Sequence, residues 1–196
     1  MKSLFKIVII GDLKVGKTSI FRKYTQNIFD ENYKSSNVID FSKKKIIYDN
    51  NLYNLFIWDT CGDRTQQSIS RSYYRGPRAF ILVFDLSSKE SFNNLTYWLD
   101  EIYNYSHKYI TVLLIGNKTD NIRQVTQDEA FNFSMKYNMS YLETSVKENY
   151  NITDLFIILI KDIINKKELN YVKYNKNEKK KNNINNDCFC FQICKD

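Results

Sequence analysis

Short apolar runs alternate along this chain with stretches whose apolar residues recur at helical spacing. Leu4–Ile10, Ala79–Asp85 and Thr111–Ile115 are almost uninterrupted apolar runs, as strands covered on both faces require. Val38–Tyr48 and Leu52–Asp59 read as a hairpin pair turned by Asp49-Asn50-Asn51, and Ser140–Glu143 as a short last strand. Helical patterns fall at Thr18–Gln26, Ser91–Tyr105, Gln127–Tyr137 and Ile152–Lys167; in the second, Phe92, Leu95, Leu99 and Ile102 form one stripe. Strand and helix in alternation predict a single α/β domain with a six-stranded, mostly parallel sheet flanked by helices on both faces. From about Asn170 onward Asn and Lys dominate and no period survives. A domain over residues 1–170 is therefore expected to carry a disordered basic tail over 171–196.

Length agrees with this division, since 196 residues suit one domain with a proper core and a tail. The net charge of +7 changes the picture more, because about half of the excess lies after Asn165. A basic tail suits nucleic acid or an anionic membrane surface. Nothing resembles a base-reading nucleic-acid motif, so membrane is the expected surface and no nucleic-acid partner is expected. Of four cysteines, Cys61 lies in the domain while Cys188, Cys190 and Cys194 crowd the last nine residues. That spacing builds no disulfide framework, and there is no signal peptide or membrane-spanning apolar run. A cytosolic protein is expected, with the C-terminal cysteines as candidate lipid sites.

Chemistry enters at Gly11-Asp12-Leu13-Lys14-Val15-Gly16-Lys17-Thr18, between the first strand and the first helix. In that setting Gly-x4-Gly-Lys-Thr is a phosphate-binding loop: the glycines let backbone N–H groups turn inward around an anion, and the helix adds its positive end. Gly11, Lys14, Val15, Gly16, Lys17, Thr18 and the adjoining Ser19 are the candidate contacts. Lys17 reaches phosphate as a point charge and the Thr18 hydroxyl suits Mg²⁺. A chance glycine turn is the plain alternative, and the flanking elements argue against it.

A second candidate is Asn117-Lys118-Thr119-Asp120, directly after a buried strand. A carboxylate there can accept from N1–H and N2–H₂ of guanine, a donor pair that adenine lacks, so Asp120 selects GTP over ATP. Thr144-Ser145-Val146-Lys147 offers backbone N–H and a Lys stem to the other side of the base; alone, it also reads as a solvated turn. The third is Trp58-Asp59-Thr60-Cys61-Gly62-Asp63, where Asp59 can hold a water of Mg²⁺ and the Gly62 N–H can touch a γ-phosphate.

With these three sites in this order, the chain resembles the Ras superfamily of small GTPases, and specifically its Rab branch, over about residues 3–170. Tyr33-Lys34-Ser35-Ser36-Asn37-Val38-Ile39-Asp40-Phe41 is similar to the family's first switch, and Ser70-Arg71-Ser72-Tyr73-Tyr74-Arg75-Gly76 to its second-switch helix. Ser91-Phe92-Asn93-Asn94-Leu95 is similar to the helix that follows. The resemblance implies a P-loop NTPase fold of the small G protein kind, GTP/GDP and Mg²⁺ as ligands, and a GTPase that regulates vesicle traffic. Thr18, Ser36 and Asp59 would serve the metal, with Ser36 reaching it only when a γ-phosphate is present. Phe29 would lie against the guanine face, with ordinary packing as the alternative. Asn117, Lys118 and Asp120 would read the base together with Ser145, Val146 and Lys147. Phe41, Trp58 and Tyr73 match the aromatic triad shown to effector helices. Implied partners are effectors, an exchange factor, a GTPase-activating protein, a GDP-dissociation inhibitor or escort protein, and a membrane reached through a lipidated tail. A monomer in the cytosol and on the cytoplasmic face of endomembrane vesicles is expected.

The catalytic candidates are Asp63, Lys17 and Gly62, and here the chain departs from the family. The residue after the second-switch Gly is normally Gln, which orients the attacking water. Asp63 is shorter, cannot donate to the γ-phosphate, and brings negative charge toward a centre that must be relieved of it. Leu13 adds bulk where the family usually has a small residue. Lys14 offers a cation to the γ-phosphate or simply faces solvent. For Ras, intrinsic hydrolysis runs at about 10⁻⁴–10⁻³ s⁻¹, with roughly 10⁵-fold added by an activating protein, so losing the Gln role slows an already slow step. Two readings follow: a slowly hydrolysing switch, or a hydrolysis-deficient GTP-bound module that recruits effectors. An ATP-using enzyme is disfavoured by Asp120. Cys188-Phe189-Cys190 resembles the family's doubly geranylgeranylated Cys-x-Cys, although Phe191–Asp196 follows it and Cys194 forms no four-residue prenylation box. Two lipids, or one with the basic run Lys179-Lys180-Lys181, would anchor the chain.

Overall fold

The apolar runs become the spine of one sheet. The computed structural model describes residues 3–31, 39–63, 71–106 and 110–166. Its strands are β1 (Ser3–Gly11), β2 (Asp40–Tyr48), β3 (Asn51–Asp59), β4 (Ala79–Asp85), β5 (Thr111–Asn117) and β6 (Ser140–Thr144). They lie in the order β2-β3-β1-β4-β5-β6. Among the strand pairs of the described residues, only β2–β3 is antiparallel. Every residue of β4 and β5 is buried, as their uninterrupted apolar composition demands. This is the expected α/β architecture.

The helices are α1 (Lys17–Gln26), α2 (Lys89–Asn93), α3 (Leu95–Tyr105), α4 (Gln127–Lys136) and α5, residues 152–166. On one face of the sheet, α1 contributes Ile20 and Phe21, and α5 contributes Leu155, Phe156, Leu159 and Ile160, to a core around Ile7, Ile9, Ile57 and Ile81. Each of those four α5 side chains is 0% exposed. At about 1.5–3 kcal/mol per fully buried large side chain, the packed face rather than helix propensity holds α5 in place. On the other face Leu95, Trp98, Leu99 and Ile102 of α3 and Ala130 of α4 cover Phe80, Leu82, Phe84, Val112 and Leu114. The start of α4 is fixed by a capping box between Thr126 and Glu129.

Three expectations are corrected. The helix predicted over Ser91–Tyr105 is two helices, begun early by Ser88, whose hydroxyl caps α2, and broken at Asn94. The Asn94 amide is turned to the carboxylate of Asp12 at 2.6 Å, a long-range demand that no local pattern records. The hairpin turn is two residues rather than three. Tyr48 pairs with Asn51. Asp49 and Asn50 alone turn the chain, with φ of 48° and 56°, as the type that matches strand twist requires. β5 also runs two residues past the predicted Ile115, to Asn117.

Candidate functional site

At the carboxyl ends of β1, β3 and β5 the chain forms a cleft of ≈ 400 Å³. That size and position suit a nucleotide. Gly16, Lys17, Thr18 and Ser19 line its floor, with Lys14 and Leu13 at one side. Gly16 has φ of 99°, and a Cβ there would come 2.2 Å from the Asn117 amide nitrogen. Glycine is thus required on two counts. No side chain caps the first turn of α1, which leaves its N–H groups open toward the cleft. Gly11 has a different role. It ends β1 against β4, where a Cβ would lie 2.1 Å from the Val83 carbonyl oxygen, and it does not line the cleft. Val15 is a core residue whose carbonyl, not its side chain, matters here.

Lys17 is 5% exposed and its ammonium donates to the Asp12 carbonyl at 2.6 Å. Burial drops it to about 8, against the pull of Asp59, Cys61 and Asp12. The Thr18 hydroxyl donates to Asp59 Oδ2 at 2.6 Å. Asp59 is 1% exposed, and its other oxygen, Oδ1, is buried with no hydrogen-bond partner among the described residues. Burial lifts this carboxyl to about 6, opposed by the Thr18 hydrogen bond and the Lys17 ammonium, with Asp40 adding to the rise. A hydroxyl and a carboxylate with one orphaned oxygen form a hard-oxygen donor set, so these residues fit Mg²⁺. Gly62 lines the cleft as well, and a Cβ on it would strike Lys17 Nζ at 2.4 Å.

The base-side loops are knitted together before any base is considered. Asn117, 1% exposed, donates its amide to the Val15 carbonyl at 2.9 Å and accepts from the Thr144 hydroxyl at 3.0 Å. It ties phosphate loop, β5 and β6 together while also lining the cleft. Lys118 pairs with Asp85 at 2.6 Å. Ser145 lies behind Asp120, donates to its Oδ1 at 2.6 Å, and accepts from the Glu148 N–H at 3.0 Å. Asp120 itself is exposed at the mouth beside Val146 and Lys147. Across the mouth stand Phe29, 37% exposed, and Glu31, whose carboxylate meets the Lys147 ammonium at 2.6 Å.

Asp63 lines a second hollow, ≈ 540 Å³, together with Asp12, Leu13 and Lys14, on the far side of the phosphate loop. Lys14, Leu13 and Gly62 border both spaces. The aromatic residues do come together. Phe41 lies 4.6 Å from Trp58 and Trp58 lies 4.9 Å from Tyr73, centroid to centroid. Of the three, Phe41 is exposed and the other two are half-buried.

Sequence reasoning missed several members. Glu31, Asp30 and Asn121 border the cleft, and nothing in their local pattern marks them. Phe56 extends the aromatic cluster, 5.6 Å from Phe41, and its two-residue offset from Trp58 on one strand would have found it. Asp12 is clamped from outside the loop, its two oxygens accepting from Asn94 Nδ2 at 2.6 Å and Trp98 Nε1 at 2.7 Å. Ser36, Cys188, Cys190, Cys194 and Lys179-Lys180-Lys181 lie outside the described residues.

A strand-to-helix glycine loop with a buried lysine, facing a base-side loop at the next strand ends, defines a P-loop nucleotide-binding domain. The family model described as "Ras family" matches residues 6–165. The chain is 42% identical over 158 residues to Ras-related protein Rab-30 of Homo sapiens, covering 80% of this chain and 78% of that one. It is 40% identical over 161 residues to Ras-related protein Rab-18 of Lymnaea stagnalis, covering 81% and 80%. Against Ras-related protein Rab-11C of Dictyostelium discoideum it is 38% identical over 162 residues, covering 82% and 72%. The chain belongs to the Ras family, and within it to the Rab small GTPases.

Proposed function

We propose that this Rab protein is a GTP/GDP switch of membrane traffic with slow intrinsic hydrolysis. The observation that carries the reading is the pairing of Asp120, fixed by Ser145 at the mouth, with the open helix N-terminus and Lys17 at the floor. Lys17 and the N–H groups of Gly16 to Ser19 hold the phosphates. Asp120 accepts from guanine, Phe29 and the Lys147 stem flank the base, and Val146 closes its edge. Thr18, Asp59 and, in the GTP state, Ser36 hold Mg²⁺, which supplies neutralising charge to the phosphate oxygens. Phe41, Trp58 and Tyr73 are the effector surface, and Phe41 and Tyr73 belong to the stretches, Tyr33–Phe41 and Ser70–Gly76, that are similar to the family's two switches. Cys188 and Cys190 carry lipid, and with the basic tail they hold the protein to the cytoplasmic face of endomembranes. Exchange factor, activating protein and GDP-dissociation inhibitor act on this cycle.

The test is the nucleotide released when the purified protein is denatured. Guanine nucleotide supports the reading, and ATP or ADP overturns it. A second reading, a GTP-held module that scarcely hydrolyses, is favoured by one observation: Asp63 lines the second hollow rather than the nucleotide cleft. GTP retained through purification supports the module, and GDP supports the switch.

A further inference from the structure

The two walls of the cleft on its base side are held with different firmness. One wall is braced. Ser145 and Tyr150 exchange two backbone hydrogen bonds, at 3.2 and 2.8 Å, and the Asn151 amide donates to the Glu143 carbonyl at 2.9 Å. Lys147 stands on the turn that these bonds close, and it lines the cleft.

The opposite wall is a plain connection. Helix α1 ends at Asn27, whose φ of 58° breaks the helical path, and residues 28–31 belong to no helix or strand. Phe29, Asp30 and Glu31 of this segment border the cleft. Ile28 and Phe29 are 44% and 37% exposed, so burial does little to fix it. Its root is tied to α1, where the Ile28 N–H donates to the Arg22 carbonyl at 3.4 Å. At its far end the Glu31 carboxylate meets the Lys147 ammonium of the other wall at 2.6 Å. Two positions later, at Tyr33, begins the stretch similar to the family's first switch.

We infer that the Glu31–Lys147 pair is a strap across the base side of the cleft, and that it sets how fast a guanine nucleotide enters and leaves. The inference rests on the nucleotide reading of the cleft and adds Glu31 as a positioning residue, acting through Lys147 and through the segment that carries Phe29. In that reading Phe29 and the Lys147 stem flank the base from opposite walls. A bond between Glu31 and the Lys147 head joins the two flanks at their outer edge, two residues beyond Phe29. A nucleotide passing between the flanks, in either direction, has to part that bond. The strap therefore slows entry and exit together and changes affinity less than either rate.

Its strength follows from its exposure. The two side chains are 57% and 60% exposed, and an ion pair in that setting is weak, so the strap changes each rate by about two- to fivefold. Glu31 foremost, with Asp120 and Glu148 behind it, raises the Lys147 ammonium, which stays charged through the ordinary pH range. Salt, rather than pH, loosens the strap.

The experiment uses the full-length protein and a fluorescent GDP. Its release into excess unlabelled GDP, and its uptake by protein stripped of nucleotide, are timed by stopped flow at low salt and at high salt. Glu31→Gln removes the carboxylate charge, and Lys147→Met removes the ammonium while keeping an apolar stem. Release and uptake about two- to fivefold faster in each variant, no further gain in the double variant, and a difference that shrinks at high salt are expected. The swap Glu31→Lys/Lys147→Glu rebuilds the pair in reverse and should release more slowly than either of its single changes. Wild-type rates in Glu31→Gln, or effects that simply add in the double variant, overturn the inference and leave the nucleotide reading standing. Faster release with unchanged uptake overturns it as well, since Glu31 would then hold the bound state rather than gate the cleft. Failure of the wild type to bind the fluorescent GDP at all overturns the nucleotide reading itself. Melting temperatures equal to that of the wild type establish that the variants are folded.

Discussion

Asn117→Ala distinguishes a residue that reads the base from one that holds the site together. The wild-type amide satisfies two buried partners, the Val15 carbonyl at 2.9 Å and the Thr144 hydroxyl at 3.0 Å, and Thr144 is 0% exposed. Truncation orphans both, and a buried polar group left without a partner costs about 1–3 kcal/mol. The total is about 2–6 kcal/mol. Part of it appears as lost stability and part as slack between phosphate loop and β6. If half of it reaches the nucleotide site, affinity falls by roughly 5–140-fold, at tenfold per 1.4 kcal/mol. Because the slack concerns the frame, GDP, GTP and ATP all lose alike and the preference for guanine survives. Thr144→Val, which removes one partner, then adds less in the Asn117→Ala background than it costs alone. The assay is displacement of a fluorescent guanine nucleotide by GDP, GTP and ATP, for the wild type, both single variants and the double. If Asn117→Ala loses guanine affinity while gaining ATP, the amide contacts the base and the structural account of it fails.

Gly11→Ala places a methyl 2.1 Å from the Val83 carbonyl at a φ of +145°, so the seam between β1 and β4 must open. We expect about 3 kcal/mol or more of lost stability, read as thermal unfolding of the GDP-bound protein, and a melting point within a degree of wild type refutes it. Asp63→Gln, assayed by single-turnover hydrolysis of preloaded GTP, should hydrolyse clearly faster than wild type; equal rates would pass the role to another group, with Lys14 the next residue to replace. The Lys17 ammonium, at about 8 in the nucleotide-free protein, is neutral above that pH, whereas bound polyphosphate requires it charged. Nucleotide binding near pH 9 should therefore take up a proton, and affinity should fall as pH rises, by up to about tenfold per unit. Calorimetry in two buffers of different ionisation enthalpy measures this, and zero uptake at pH 9 would contradict the burial of Lys17.

The sheet was legible because its message is local. Strands such as Ala79–Asp85 are apolar at every position, and only a strand covered on both faces reads that way. The phosphate loop and the base loop were legible for a related reason: each compresses its chemistry into a few consecutive residues. What escaped depends on contacts distant in sequence. The break at Asn94 answers a carboxylate 82 positions earlier, and the engagement of Asn117 answers Val15, 102 positions earlier. A pattern of apolar and polar letters reports which side of a helix is buried. It does not report that one asparagine in the stripe is needed elsewhere. Asp63 is a further case, since a strand-end turn says which residue follows Gly62 but not into which of two neighbouring spaces it turns. Glu31 and Lys147 meet across 116 positions for the same reason, through the fold and not the motif.

The clamp on Asp12 has a kinetic meaning. Asn94 and Trp98 grip both oxygens of its carboxylate, while its carbonyl accepts from Lys17. The first bend of the phosphate loop is thereby bolted to the start of α3 and to a tryptophan that is 1% exposed. The ordering that a flexible glycine loop would undergo on meeting an anion has already taken place during folding, so an arriving nucleotide encounters a rigid receptor. Affinity is then undiluted by loop ordering.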